Sequence, residues 1–251
     1  MIIFIIVASL AILYYNFSSG KQEISCTSLN KISSQSNTEH VSQIDYNIPG
    51  FPNIQTNIFF DISCDSKKVG TVEIELFDDD VPNTSKNFRY LCSGLNTDLS
   101  YTGSLLHRII EGHLIQGGDI TNNDGSGGCS AYGEYFEHEN YNLKHNQEGL
   151  VSMANCGKGR SNSQFLISTR KGGCKELDGK YVVCGIVVKG YDIIKKLESS
   201  DVSEEYCPVK EYKITKCGLV GMKECIVEKD NSLLDDLDIN EKFSMNIKLS
   251  I

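Results

Sequence analysis

Positive charge is scarce in this chain. Lysine and arginine total 24 against 33 aspartates and glutamates in 251 residues, a net charge of −9. The basic residues nowhere gather into a run, so the electrostatic footprint of nucleic-acid binding is missing. Motif absences narrow the field further. The ten cysteines contain no C-x-x-C pair, which sets aside a disulfide-exchange protein. The five histidines contain no H-E-x-x-H, and His138 and His145 lack any metal-ligand spacing. Gly125 to Gly128 is too short for a phosphate cradle and has no lysine, while Asp235, Asp236 and Asp238 lack the glycine of a calcium loop. No metal and no cofactor is expected. Internal repeats are absent, and so is the strand–helix–strand alternation of a parallel sheet.

What is present begins with an apolar run, Met1 to Tyr15. It falls short of the ~20 residues a membrane span needs and suits the core of a signal peptide better. Ser18 and Gly20 are small residues placed for cleavage before Lys21, although no Lys or Arg precedes the run. An uncleaved anchor is the other reading, and the chain would touch a membrane only in that case. Neither reading is cytosolic. Ten cysteines suggest an oxidising compartment, with reduced buried thiols as the alternative. The chain divides into residues 1–20 (signal or anchor), a polar linker at 21–52, a folded domain at 53–221 and an acidic extension at 222–251.

Within the domain the period is mostly two. Ile58 to Cys64 reads as a buried strand, Ser66 to Lys68 as its turn, and Val69 to Phe77 as a partner with Val72, Ile74 and Leu76 inward. Asp78-Asp79-Asp80-Val81-Pro82 opens a helix, with acids at the positive end of its dipole, and Gly94 closes it. Further strands are expected at Leu150 to Asn155, Gln164 to Thr169, Tyr181 to Val188 and Lys213 to Val220, and a second helix at Gly190 to Ser199. Between them, Leu105 to Asp119 reads as two short strands broken at Gly112. Leu106, Arg108 and Ile110 would share one face, and after the bend Leu114 and Gln116 would share a face. An arginine and a glutamine thus rise from an apolar sheet surface. About eight strands and two helices point to a mainly β fold, an antiparallel barrel with helical caps.

The chain resembles the cyclophilins over roughly Asn53 to Val220. Carrying the likeness are Phe59-Phe60-Asp61-Ile62, Asn87-Phe88-Arg89, His107-Arg108-Ile109-Ile110, Gln116-Gly117-Gly118-Asp119, Tyr132-Gly133-Glu134, Ser152-Met153-Ala154-Asn155, Ser163-Gln164-Phe165 and Leu177-Asp178-Gly179-Lys180. The resemblance implies an eight-stranded antiparallel barrel capped by two helices, and peptidyl-prolyl cis-trans isomerase activity. That reaction faces a barrier of ~18–20 kcal/mol, set by the partial double bond of the amide. It needs no nucleophile, metal or organic cofactor. By resemblance Arg108 is the catalytic arginine and Gln116 holds the substrate carbonyl. Ile110, His113, Leu114, Ala154, Asn155, Gln164, Leu166, Leu177 and Tyr181 would bind the X-Pro segment of a client protein, the Asn155 backbone pairing with it as an edge strand would.

Several positions depart from the family. Cyclophilins have Phe where this chain has His113, Met for Leu114, Phe for Leu166, His for Tyr181 and Trp for Glu176, and two extra residues lie in Lys171 to Lys175. Each missing aromatic wall removes roughly 1–2 kcal/mol of binding. The expectation is a weak or selective folding isomerase of the secretory pathway that binds cyclosporin weakly. The alternative is an impaired barrel that only binds proline-containing segments. Cys92 and Cys217 match a redox-linked pair of some cyclophilins, with two buried thiols as the other reading. Cys26 and Cys225 could pair with each other or with a partner.

Overall fold

The computed structural model describes Tyr46, Ile48, Pro49, Phe51 and residues 53–221. The apolar segment at 1–15, most of the polar linker, the acidic extension, Cys26 and Cys225 lie outside the described residues. No helix among the described residues is long and apolar enough to cross a membrane.

Among the described residues, ten strands and two helices follow in order: β1 Ile58–Cys64, β2 Lys67–Leu76, α1 Pro82–Cys92, β3 Arg108–Ile110, β4 Leu114–Gly117, β5 Phe136–Glu137, β6 Leu150–Met153, β7 Arg160–Ser161, β8 Phe165–Ser168, β9 Val182–Lys189, α2 Tyr191–Glu198 and β10 Tyr212–Leu219. Eight form one antiparallel sheet in the order β10-β1-β2-β9-β6-β8-β4-β3, and β5 pairs with β7. The segment leading into β3 runs back along β10. Gly103 N–H donates to Ile214 C=O at 2.7 Å and Leu106 N–H to Tyr212 C=O at 2.9 Å. These bonds curl the sheet onto itself as a barrel.

Alternation fills the interior. Ile58, Phe60 and Ile62 of β1 and Val72, Ile74 and Leu76 of β2 are buried. Phe60, Phe88, Tyr101 and Phe165 form the aromatic centre, with Phe60 stacked on Phe165 at 5.5 Å and Tyr101 edge-on to Phe165 at 5.5 Å. The Gln-Gly-Gly-Asp stretch is dictated by this packing. Gly118 has φ +81°, and a Cβ there would meet the Phe165 ring and the Ser163 carbonyl at 2.7 Å.

Several expectations shift. The first hairpin turns at Asp65-Ser66, both left-handed at φ 47° and 67°, and Lys67 already belongs to β2; a two-residue turn matches the twist of its strands. The three acids at 78–80 precede α1 rather than filling its first turn. The first N–H groups are taken instead by Glu139, which accepts from Asn83 N at 2.9 Å and Thr84 N at 2.7 Å. Asp78 serves the buried Arg89 as an ion-pair partner. Leu106 does not share a face with Arg108: it lies in the core with Ile109. The pairing lapses between the Leu105–Lys213 bridge and β3, so the alternation restarts at Arg108. The boundary expected at 53 falls inside a contact, because Ile48 and Phe51 pack into the core and Tyr46 stacks on Tyr132 at 4.7 Å.

Candidate active site

Strands β3, β4 and β8 present their outer faces to one groove. The β3–β4 register sets Arg108 directly opposite Gln116 and Ile110 opposite Leu114, and β4–β8 sets Gln116 opposite Leu166. Leu114, Ala154, Leu166, Cys174 and Leu177 form a second apolar cluster separate from the barrel core, with Ile110 and Tyr181 packed at its edge. The predicted Arg108, Ile110, Leu114, Gln116, Ala154, Leu166, Leu177 and Tyr181 thus come together on one surface.

Gln116 is held from behind. Its Nε2 donates to Gln164 Oε1 at 2.9 Å, and Gln164 Nε2 donates to the carbonyls of Gly125 at 2.9 Å and Gly127 at 2.7 Å. That glycine loop is in turn wound around Asp119, whose carboxylate accepts backbone N–H groups of Thr121, Asn122, Gly125 and Gly127. Burial alone would raise the Asp119 carboxyl; those donors outweigh it and hold it below the usual carboxylate range. His107, buried beneath the loop, lies against Gly125. Its part is structural.

Arg108 is exposed, and among the described residues no hydrogen bond or ion pair engages its guanidinium. Its contact is the Tyr206 ring, 5.8 Å from the guanidinium carbon to the centroid. Ile109 N–H donates to Tyr206 C=O at 2.9 Å and ties that residue's main chain to β3. Asn155 is also exposed; its side chain donates to Lys180 C=O at 2.9 Å and accepts from Gly157 N at 2.7 Å. Its main chain has no intrachain partner among the described residues.

The far wall of the groove is polar. His113 Nε2 lies 3.1 Å from Glu176 Oε1, and Arg170 ion-pairs with the same carboxylate while its Nε donates to Gly112 C=O at 3.1 Å. Burial first, and then the Arg170 charge, hold the His113 imidazole below its ordinary range against the pull of Glu176. Under this wall His145 is fully buried, its Nδ1 2.9 Å from Asp178 Oδ1 and its Nε2 2.8 Å from Ser152 Oγ. It ties β6 to the Leu-Asp-Gly-Lys turn.

The sequence pattern of the family described as cyclophilin type peptidyl-prolyl cis-trans isomerase/CLD matches residues 59–219, nearly the whole of this barrel. The chain belongs to the cyclophilin family. It is 44% identical over 177 residues to the peptidyl-prolyl cis-trans isomerase cyp11 of Rhizopus delemar, covering 68% of this chain and 52% of that protein. It is also 44% identical over 163 residues to the human E3 SUMO-protein ligase RanBP2, covering 65% of this chain and 5% of that protein. The chain therefore spans about half the length of the first relative and a small part of the second.

The cyclophilin barrel also brings forward residues that periodicity did not mark. A cavity of about 240 Å³ beside Gln116 is lined by Tyr135, Ala154, Asn155, Cys156, Asn162 and Gln164 among others. Arg160 stacks over Tyr135 at 4.7 Å. Tyr135, Cys156 and Tyr206 come from turns, where spacing carries no signal. The paired cysteines of some cyclophilins are here free thiols: Cys92 and Cys217 are both unbonded, while Cys129 is disulfide-bonded.

Proposed function

We propose that this cyclophilin catalyses cis/trans exchange of X-Pro bonds in client proteins, with Arg108 as donor to the twisting imide nitrogen and Gln116 as the grip on the substrate carbonyl. One observation carries the reading: Arg108 and Gln116 face each other across β3 and β4, beside an apolar floor of Leu114, Ala154, Leu166 and Leu177. Rotation about the imide turns its nitrogen into an acceptor, so a donor placed there binds the twisted state better than either planar one. A charged hydrogen bond contributes roughly 1.5–3 kcal/mol, about one to two powers of ten in rate. The remainder of the acceleration must come from a dry floor for the ring and from main-chain pairing at Asn155.

Turnover is proposed to be weak or selective, because His113 and Glu176 stand where the family carries aromatic walls. Glu176 is engaged with Arg170, so cyclosporin, which leans on the missing indole, is expected to bind weakly. A secretory setting fits the apolar run at residues 1–15 and the ten cysteines. A second reading, a barrel that binds proline-containing segments without useful turnover, is favoured by the remodelled rim, where His113 and Arg170 both pair with Glu176.

NMR exchange spectroscopy on an X-Pro peptide separates the two. Isomerase action predicts line broadening with the native chain and a loss of about 10–100-fold in kcat/KM for Arg108→Ala. Absence of broadening with the native chain, alongside peptide shifts that show binding, would leave only the binding module.

A further inference from the structure

His113, Cys174 and Glu176 reach one spot from two segments far apart in the chain. His113 sits in the β3–β4 turn, Cys174 in the loop carrying the two extra residues, and Glu176 in the short 3-10 turn Lys175–Leu177. Each offers one ligand atom, and the three atoms lie within 4.8 Å of one another. Cys174 is fully buried, its thiol 3.5 Å from the His113 carbonyl. His113 Nε2 is shielded from solvent; although 3.1 Å from Glu176 Oε1, it makes no hydrogen bond of proper geometry. The ring nitrogen thus faces the Glu176 carboxylate, and the Cys174 sulfur closes the same small triangle of donor atoms. Two of the three residues replace the aromatic walls of the family, and the third lies in the lengthened loop. These departures converge on one point.

We infer that His113, Cys174 and Glu176 form a binding site for a divalent transition metal of the zinc class at the rim of the apolar pocket. The donor set of one imidazole, one thiolate and one carboxylate suits a borderline ion and excludes calcium and magnesium, which take oxygen ligands. Bond lengths of ~2.0–2.3 Å around a tetrahedral ion place ligand atoms ~3–4 Å apart, so the present spacing closes by side-chain adjustment alone. Binding moves one proton: the Cys174 thiol, kept protonated by burial, gives its proton to solvent as the metal–sulfur bond forms. Glu176 trades its Arg170 pairing for the ion, and His113 binds as the neutral imidazole. A bound dication then balances one thiolate and one carboxylate. Three protein ligands leave a coordination position free beside the groove, and the ion ties the β3–β4 turn to the 174–177 turn. It sets the width of the pocket.

Cobalt(II) titration of the full chain under a non-chelating reductant tests the site without reference to isomerase turnover. The native chain is expected to develop a thiolate-to-cobalt charge-transfer band that zinc bleaches. Cys174→Ser abolishes the band, and His113→Phe and Glu176→Gln each weaken binding at least ~10-fold. Cys64→Ser and Cys207→Ser, remote thiols, leave it intact. Zinc raises the melting temperature of the native chain and not that of Cys174→Ser. His113→Phe restores the family residue and keeps the test valid should Cys174→Ser fold poorly. No band with the native chain, or a band that survives in both Cys174→Ser and His113→Phe, overturns the site.

Discussion

The Tyr206 ring stands over the one guanidinium the proposed chemistry needs. A cation–π contact at an exposed site contributes about 0.5–1 kcal/mol, and here it narrows the directions in which Arg108 can point. Tyr206→Ala is expected to lower kcat/KM on an X-Pro peptide by roughly 2–5-fold, with the melting temperature nearly unchanged. A rise would mean that the ring shields the arginine and does not aim it. Cys217 makes a second prediction at this scale. The neighbouring Cys92 thiol draws it down foremost, Thr102 and Ser100 assist against burial, and its pKa falls to about 6. Cys217 should therefore alkylate with a pH midpoint near 6, whereas burial raises the enclosed Cys184 and should leave it unmodified. Peptide mapping after brief maleimide treatment at several pH values reads both.

At the level of elements, α1 depends on a residue far from it in sequence. Glu139, and none of Asp78 to Asp80, accepts the N–H groups of Asn83 and Thr84. Glu139→Ala should cost about 0.5–2 kcal/mol, the range for a lost cap, seen as a lower urea midpoint at constant m-value. The start of α1 shows where sequence reasoning stops. Period-two alternation located β2 because it buries Val72, Ile74 and Leu76 on one face against the core, and that pattern is local. The cap of α1 and the lapse of pairing before β3 depend on partners dozens of residues away. The site divides in the same way. Arg108 and Gln116 were legible because each lies in a contiguous motif that resembles the family, and the structure sets the two opposite each other. The His113–Cys174 contact spans 61 residues, and Tyr206 arrives on a distant loop whose backbone bonds to Ile109. Neither leaves a spacing to read.

For the molecule as a whole, buried imidazoles set the acid limit. Burial foremost depresses His107, His138 and His145, in the last case against the pull of Asp178. The unfolded chain, with histidine near 6.5, then binds more protons than the folded one as pH falls through this region. Their contribution is complete above that value and is lost progressively as pH falls toward the depressed folded values. Melting temperature should hold steady above about pH 7 and decline from about pH 6.5 downward. Asp119, also held low in the fold, adds a further loss below about pH 4. Thermal melts across this range, repeated with His145→Gln, should show a shallower first decline in the variant. Stabilisation on mild acidification would contradict the burial account.

The pairing of β1 with β10 carries a consequence for biogenesis. Ile58 lies opposite Leu219, so β1 waits for β10 to be synthesised before its outer edge is covered. Until then one flank of the nascent sheet stays open to any passing strand, the situation in which intermolecular pairing competes with proper closure. A chain truncated just short of residue 212 should stay protease-sensitive, and one extended a few residues past 219 should become resistant.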